Sequence, residues 1–244
     1  MSPPDHHGLT LAVVGTPAVG KTTVARLIAG TVGGRYQSMA DLARVARRDG
    51  WLATGQGAGT DRPDTHDDDA VLAVALHRHA LTDPGSLVVL DDVVTSAASL
   101  DTFARGDRTD QVRLQVVELA APDLLLLHRA QRPFCPFCQP DPDSEPHQPA
   151  PPIAGATPCP TCGRALSIRA RDEPTVFQQR LEIHLQHRPE LMTAAARHRI
   201  RWTRIEATGT PQQCADLAIA AIAAPRRRSR AGPRRPPAPR EPSP

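Results

Sequence analysis

The sequence predicts an α/β fold in which a parallel sheet is covered by helices on both faces. Apolar runs of strand length occupy residues 9–14, 86–92, 114–119 and 200–205. Stretches in which apolar residues recur at helical spacing lie between these runs. Strands that alternate with helices favour a parallel sheet, and ligands of such sheets bind at the carboxyl ends of the strands.

The first apolar run leads into a glycine-containing loop. Residues 15–22 read GTPAVGKT, which is the G-x-x-x-x-G-K-T pattern of a phosphate-binding loop, or P-loop. Glycines let backbone N–H groups surround phosphate oxygens, the lysine neutralises the outer phosphates, and a hydroxyl approaches Mg²⁺. The helix that follows points its positive end at the same anion. The predicted ATP-binding residues of this loop are Gly15, Thr16, Pro17, Ala18, Val19, Gly20, Lys21, Thr22 and Thr23.

The lysine of this loop is exceptional in the chain. Lysine and arginine together number 29, and Lys21 is the only lysine, which leaves 28 arginines. A compact ammonium is therefore specifically placed here, in a chain that uses arginine for every other permanent cation.

The next region shows a helical pattern over residues 35–48, in which Met39, Leu42 and Val45 recur at helical spacing. Residues 53–69 are rich in glycine and aspartate and predict a mobile loop. A second helical pattern covers residues 70–81.

The strand predicted at residues 86–92 ends in Asp91 and Asp92. An apolar strand that closes on aspartate after a P-loop is the usual position for the acid of the Mg²⁺ shell, and Asp91 is the candidate. The alternative is a solvated strand end.

The last part of the chain returns to the alternating pattern. A short helix is predicted at residues 123–128 and another at residues 212–223. Thr210 is placed to cap the final helix, with Pro211 in its first turn. Cys214 lies in the apolar pattern of this helix, and the simplest interpretation is a core residue.

Residues 132–172 interrupt the alternation. They contain two C-P-x-C pairs, and these four cysteines can surround Zn²⁺ as a closed structural site. In a reducing compartment such pairs indicate metal ligands rather than disulfides. A zinc ribbon that binds nucleic acid is the alternative use of the same pattern. The predicted metal ligands are Cys135, Cys138, Cys159 and Cys162.

Composition limits the function further. Residues 225–244 hold seven arginines and one glutamate, so the rest of the chain carries 22 basic and 25 acidic residues. Aromatic residues make up only 3%, which disfavours a protein that stacks nucleic-acid bases. No apolar stretch has the length of a membrane span. We expect a cytoplasmic protein without membrane or nucleic-acid partners and with a disordered tail at residues 225–244.

The order of these parts resembles the adenylate kinase family of nucleoside monophosphate kinases, in its zinc-bearing form with a long lid. The resemblance covers residues 9–223 and includes VVELAAPDLLLLHRA before the cysteines and RARDEPTVFQQRLEIH after them. It implies a kinase domain at residues 9–224 after a flexible start at residues 1–8. Within it, residues 35–70 would bind the acceptor and residues 130–172 would form the zinc-bearing lid. It also implies Mg²⁺, ATP and a nucleoside monophosphate as ligands, and we expect a monomer.

The resemblance also assigns arginines. Arg129 and Arg132 match the pair before the lid cysteines and would contact ATP, whereas Arg169 and Arg180 match the return segment and would contact the acceptor phosphate. Lys21 would act in catalysis together with Arg132, Arg169 and Arg180, because phosphoryl transfer depends on cations placed around the moving group. Asp172 matches the acid of the lid segment, and Arg44 matches an arginine for the acceptor phosphate. Each arginine taken alone could instead be a solvated surface charge.

The acceptor side departs from the family pattern. Ala40 replaces a glycine, Thr95 replaces the arginine that grips the monophosphate, and Ser99 replaces the glutamine that reads adenine. A hydroxyl does not replace a bidentate guanidinium. The leading hypothesis is therefore an ATP-dependent nucleoside monophosphate kinase, and the alternative is a nucleotide-binding relative with little or no activity and a regulatory or accessory role. A nucleic-acid binder that uses the zinc lobe and the tail is a third possibility.

Overall fold

A computed structural model describes residues 9–48, 87–106, 113–138 and 158–223. Its five strands form one parallel sheet in the order β2-β3-β1-β4-β5. This arrangement confirms the predicted α/β class. The predictions for residues 1–8, 53–69, 70–81 and 225–244 lie outside the described residues. The strands are β1 Leu9–Gly15, β2 Arg35–Ser38, β3 Val88–Asp91, β4 Arg113–Ala120 and β5 Arg201–Glu206.

Six helices flank this sheet in the described part of the chain. The first begins directly at the loop lysine, and the last begins at the predicted proline, Pro211. Thr210 caps that last helix, because its hydroxyl accepts a hydrogen bond from the N–H of Gln213 at 3.2 Å. The helices are α1 Lys21–Val32, α2 Met39–Arg48, α3 Ala97–Gly106, α4 Asp123–Ala130, α5 Pro174–Arg197 and α6 Pro211–Ala223.

Apolar side chains cover both faces of the sheet. On one face α1 and α6 pack against alternate residues of the central strands, and Cys214 is buried there as predicted. On the other face Leu42 of α2 and Phe103 of α3 form a second core. Helix α5 contributes Phe177 to the first core and Leu191 to the second, so this one helix packs against both.

The structure corrects the helical interpretation of residues 35–48. Arg35–Ser38 is strand β2, which pairs with β3 at the edge of the described sheet, and the helix begins at Met39. Helix α3 and most of the 24-residue helix α5 were not predicted from apolar spacing.

Two features require glycine at position 15: its backbone conformation and the lack of room for a side chain. Its φ is 153°, which side-chain-bearing residues rarely adopt, and an added Cβ would collide with the carbonyl oxygen of Leu119 on β4. We expect Gly15→Ala to reduce the free energy of unfolding by about 2 kcal/mol or more, measured by urea denaturation. Gly30 in α1 has open space around it, so Gly30→Ala should increase stability by about 0.5–1 kcal/mol. Equal effects of the two substitutions would contradict this account.

Glu118 forms a buried polar junction between β4, β5 and α5. Its side chain accepts hydrogen bonds from Nε and Nη2 of Arg188 and from Nε1 of Trp202, the last at 2.9 Å. Burial raises the pKa of Glu118, but the hydrogen bonds from Arg188 and Trp202 outweigh it, and the net pKa lies below the usual 4.5. A carboxylate with a lowered pKa stabilises the fold above that range and loses this contribution as the pH falls through the folded-state pKa.

We therefore expect Glu118→Gln to lower the free energy of unfolding at neutral pH by about 3 kcal/mol, because it leaves Arg188 without its counter-charge. The difference from the unmodified protein should shrink as the pH falls below 4.5. Glu206→Gln removes an exposed carboxylate paired with Arg204 at 3.1 Å and should change stability little. Urea denaturation across this pH range compares the two, and a pH-independent loss in Glu118→Gln would argue against the ion pair as its cause.

Candidate anion-binding site and cysteine cluster

A cavity of about 400 Å³ lies at the carboxyl ends of the parallel strands. The loop between β1 and α1 and the segments before and after the cysteine pairs all contribute to its lining. The basic residues that line it are Lys21, Arg129, Arg132, Arg169, Arg171 and Arg180, whereas the acidic ones are Asp92 and Asp172. This excess of cations makes the cavity suited to a multiply charged anion.

Lys21 lies folded over the loop. Its Nζ donates hydrogen bonds to the carbonyl oxygens of Gly15 at 3.0 Å and Thr16 at 3.3 Å. The ammonium also lies 3.6 Å from Oδ1 of Asp92, whose side chain is half exposed and whose φ is 58°. Gly20 adopts a φ of 98° immediately before α1. Because the first N–H groups of a helix have no partner within it, this end of α1 presents donors and a positive dipole beside Lys21.

Asp91 lies next to the hydroxyl of Thr22 in the loop. Parallel pairing sets Asp91 beside Val13 of β1. Oδ2 of Asp91 accepts hydrogen bonds from Thr22 Oγ1 at 2.6 Å and from the Tyr36 hydroxyl at 2.9 Å. Oδ1 is buried and accepts no hydrogen bond from the described residues. Burial, with a smaller contribution from Asp92, raises the pKa of Asp91.

The donor set fits a magnesium ion held through water. Carboxylate and hydroxyl oxygens are the ligands that Mg²⁺ prefers, and Asp91 and Thr22 present both types at one point. A cation near Oδ1 would also satisfy an acceptor that is otherwise buried without a partner. Participation of these residues in a magnesium shell stays a prediction.

The four arginines predicted from the segments around the cysteines line the same cavity as Lys21. Arg129 Nη1 donates to the carbonyl oxygen of Val19 in the loop at 3.1 Å, which ties α4 to the loop. A carboxylate oxygen of Asp172 lies 4.0 Å from Nη1 of Arg169 and another lies 3.7 Å from Nη1 of Arg180, so Asp172 pairs with both guanidinium groups in the cavity lining. The chemical roles of these arginines stay predictions.

The sequence analysis did not assign three residues that lie at or near the site. Arg171 lines the cavity, and Arg180 Nη1 donates to its carbonyl oxygen at 3.2 Å. The only signal for Arg171 in the sequence is its position between Arg169 and Asp172. Tyr36 gave no signal, because its contact with Asp91 depends on the sheet register. Asp92 was noted only as the second carboxylate at the strand end, and its contact with Lys21 depends on its own left-handed backbone.

The structure describes the predicted acceptor-binding residues only in part. Arg44 lies on α2, but its side chain is outside the described part of the structure. Ser99 caps the start of α3: its Oγ accepts hydrogen bonds from the N–H groups of Thr95 at 3.1 Å and Ser96 at 3.0 Å, and it donates to the Ser96 carbonyl at 2.8 Å. Ser99 is buried and committed to this cap, so it offers no hydrogen bond to a base.

The four predicted metal ligands come together in space. Their Sγ atoms all lie within 4.8 Å of one another, with Cys135 and Cys162 at 3.5 Å and Cys138 and Cys159 at 3.8 Å. A zinc ion bound to four sulfurs at about 2.3 Å requires sulfur separations of about 3.8 Å, so these four fit a tetrahedral site. The backbone N–H groups of Cys162 and Thr161 lower the pKa of the Cys159 thiol to about 6. Four thiolates at this spacing repel one another unless a cation lies between them.

The backbone around the sulfurs forms two turns. The N–H of Cys138 points at Cys135 Sγ at 3.4 Å. In the second pair, Gly163 has a φ of 74° and its N–H donates to the carbonyl of Cys159 at 2.7 Å. Phe134 and Ser167 exchange backbone hydrogen bonds that join the two arms. The cluster is therefore a preformed closed set of soft ligands, which could hold a zinc ion.

The fold and the loop together define the class of the protein: an α/β protein whose parallel sheet is compatible with a P-loop-like fold. No protein-family model matches the sequence, and no curated protein matches it. Among the described helices, none combines the length and the apolar character needed to cross a membrane.

Proposed function

We propose that this protein is an ATP-dependent phosphotransferase of the adenylate kinase type, which moves the γ-phosphate of ATP to a nucleoside monophosphate. The observation that carries the proposal is the convergence of Lys21 with arginines from two distant segments around one cavity. The partly buried hydrogen bond from Thr22, which lines that cavity, to Asp91 supports it. A switch or motor protein also needs a P-loop, but it does not need this set of arginines around the same cavity.

The mechanism follows from the placement of the charges. The loop and the N-terminus of α1 would bind the phosphates of ATP, and Lys21 would leave the carbonyls of Gly15 and Thr16 to neutralise the outer phosphates. Thr22 and Asp91 would hold Mg²⁺ through water, and the bound ion would supply charge stabilisation to the phosphates. Arg132, Arg169 and Arg180 would surround the group in transfer. The acceptor phosphate is already an anion, so neither a general base nor a covalent enzyme intermediate is required.

Closure of residues 130–172 over the cavity would exclude water during transfer. Asp172 pairs with Arg169 inside this segment and with Arg180 of α5, and the second pair joins the segment to the start of α5. We propose that these contacts aim both arginines at the transferred phosphate in the closed form.

The second candidate is a nucleotide-binding relative that transfers phosphate weakly or not at all. The capping role of Ser99 and the exposed threonine at position 95 favour it, because neither residue provides the acceptor contact that the family uses. In that case a regulatory or accessory role would follow from ATP binding alone.

One set of assays separates the two candidates. ADP formation is measured in a coupled assay with each common nucleoside monophosphate, and ATP binding is measured by calorimetry. The kinase predicts ADP formation that requires a monophosphate, whereas the accessory protein predicts ATP binding without transfer to any acceptor. Thr95→Arg should raise activity toward a monophosphate if the missing guanidinium limits acceptor binding. No turnover with any monophosphate would reject the kinase.

We also propose that the cysteine cluster holds a structural zinc ion. Metal analysis is expected to return about one zinc per chain. Replacing one cysteine of each pair, Cys138→Ser and Cys162→Ser, should each release the metal, whereas Cys214→Ser is the control because that thiol lies in the core. A protein without metal, or with a disulfide among these four cysteines, would contradict the proposal.

A further inference from the structure

Tyr36 of β2 reaches the aspartate at the end of the neighbouring strand. Parallel pairing sets Tyr36 beside Val89, two residues before Asp91, so these three side chains project from the same face of the sheet. The phenol hydroxyl donates to Oδ2 of Asp91 at 2.9 Å, and Oγ1 of Thr22 donates to the same oxygen at 2.6 Å. Oδ1 of Asp91 is buried and accepts no hydrogen bond from the described residues. The two oxygens of this carboxylate therefore differ in their partners.

Neighbouring groups hold the phenol of Tyr36 in place. The guanidinium of Arg26 lies over the ring, 4.9 Å from its centre, and Arg26 follows Thr22 by one turn of α1. The ring also packs against the first core. Burial, and then the charge of Asp91, raise the pKa of Tyr36, so the hydroxyl keeps its proton and stays a donor. A tyrosine side chain has few rotatable bonds, so packing of its ring also fixes the position of its hydroxyl.

The two donors to Oδ2 differ in how they depend on the cavity. Thr22 lines the cavity, and its hydroxyl hydrogen can rotate toward a new partner when the cavity is occupied. Tyr36 is not among the described residues that line the cavity, so its hydrogen bond can persist in both states. The last torsion of an aspartate has a broad, two-fold preference, and a permanent donor to one oxygen restricts it. Tyr36 therefore holds Oδ2 and leaves Oδ1 for another partner.

We propose that Tyr36 is a positioning residue for the magnesium site: its hydroxyl holds Oδ2 of Asp91, so that Oδ1 is the oxygen left to accept a hydrogen bond from water bound to Mg²⁺. The inference rests on the proposed function, since it concerns the ion that would accompany ATP. Groups that hydrogen-bond to a metal-binding side chain set its orientation, and their loss typically costs about 10–100-fold in metal affinity. Tyr36 acts through Asp91 and contacts neither the ion nor the nucleotide.

Tyr36→Phe tests the inference, because it removes the hydroxyl and keeps the ring against Arg26 and the core. Calorimetry on the full-length protein measures the affinity for ATP with excess Mg²⁺ and again with a chelator, and the ratio of the two affinities is the magnesium enhancement. We expect Tyr36→Phe to lower the affinity for Mg²⁺·ATP about tenfold and to leave the affinity for metal-free ATP unchanged. ADP formation by this variant should require more Mg²⁺ and recover when Mg²⁺ is saturating.

Trp202→Phe is the matched control. It removes another aromatic donor, which lies 2.9 Å from a carboxylate oxygen of the buried Glu118 on the other side of β1. This variant should lower stability and leave the magnesium enhancement unchanged. An unchanged enhancement in Tyr36→Phe, or an equal loss of affinity for ATP with and without the metal, would overturn the inference, because either result leaves Tyr36 a structural role alone.

Tyr36 is the only tyrosine of the chain, so a label on tyrosine reports on this residue alone. Should Tyr36→Phe fail to fold, fluorotyrosine is incorporated in place of tyrosine and followed by fluorine NMR. A resonance that shifts when Mg²⁺ is added to the ATP-bound protein, and does not shift in Asp91→Asn, supports the inference. A resonance that does not shift in the unmodified sequence, or that shifts equally in Asp91→Asn, overturns it.

These outcomes separate the inference from the proposed kinase. A magnesium enhancement that is reduced in Tyr36→Phe, in a protein that transfers no phosphate, would reject the kinase and leave the inference intact. Transfer with an unchanged Mg²⁺ requirement in Tyr36→Phe would do the reverse. A protein that binds ATP no better with Mg²⁺ than without it would overturn the inference, and one that does not bind ATP would reject both.

Discussion

Lys21→Ala is expected to lower the rate of ATP-dependent transfer by about 10³-fold, as removal of one preorganised charge at a reacting group does in other enzymes. Lys21 is the loop cation of the cavity, and its side chain is only 12% exposed. The arginines around the cavity cannot replace it, since a guanidinium is larger and binds phosphate as a planar fork rather than as a point charge. For the same reason Lys21→Arg should also be severely impaired.

The measurement is the initial rate of ADP formation in the presence of a monophosphate, with ATP affinity determined separately by calorimetry. Arg204→Ala is the matched control, because it removes an exposed cation that is paired with Glu206 on β5. It should leave the rate unchanged. A Lys21→Ala protein that is folded and retains most of its activity would show that the loop does not hold the reacting phosphates.

Asp91→Asn is expected to lower the activity of the protein without lowering its stability. The substitution removes the carboxylate proposed for the magnesium shell, so transfer should fall by about 10²-fold and the requirement for Mg²⁺ should increase. Burial raises the pKa of Asp91, which means that the folded state disfavours its charged form. Such an acid lowers stability once the pH exceeds its unfolded-state pKa, and the neutral amide removes this cost. The free energy of unfolding at neutral pH should therefore stay unchanged or rise by about 1 kcal/mol.

Both effects are measured on the same protein, by ADP formation over a series of Mg²⁺ concentrations and by urea denaturation. Asp123→Asn, in the exposed first turn of α4, is the control and should change neither quantity much. Unaltered activity and Mg²⁺ dependence in Asp91→Asn would remove this residue from the site. A large loss of stability would mean that its hydrogen bonds with Thr22 and Tyr36 matter more than the buried charge.

The sequence was informative where local pattern and sheet geometry act together. The loop motif determines its own conformation, and a parallel strand that ends in Asp91 beside β1 must bring that carboxylate to the loop. The cysteine pairs were predictable for a similar reason, because each C-P-x-C turn aims two sulfurs at one point.

Helix α5 shows why the spacing of apolar residues did not predict every helix. Phe177 and Leu181 face one core, whereas Leu191 and Ala194 face the other, so no single apolar stripe runs along its 24 residues. Strand β2 was not predicted, for a different reason. Arg35–Ser38 has only four residues and one buried side chain, which is too little for an alternating apolar pattern.

Local sequence patterns could not predict the residues that surround the site. Tyr36 reaches Asp91 across 55 positions of sequence, and Asp92 lies 3.6 Å from Lys21, which belongs to a different element. Such contacts depend on tertiary structure and leave no motif. The hydrogen bonds of Ser99 within the first turn of α3 are also a structural finding, and the altered acceptor site stays a prediction.

The destination of the γ-phosphate is the most direct test of the central claim. The protein is incubated with ATP radiolabelled at the γ-phosphorus, Mg²⁺ and each nucleoside monophosphate in turn, and the products are separated. The label is expected to appear in a nucleoside diphosphate, only when the matching monophosphate is present, and not with Lys21→Ala. Label that stays in ATP with every monophosphate, or that appears only as inorganic phosphate, would contradict the assignment of a nucleoside monophosphate kinase.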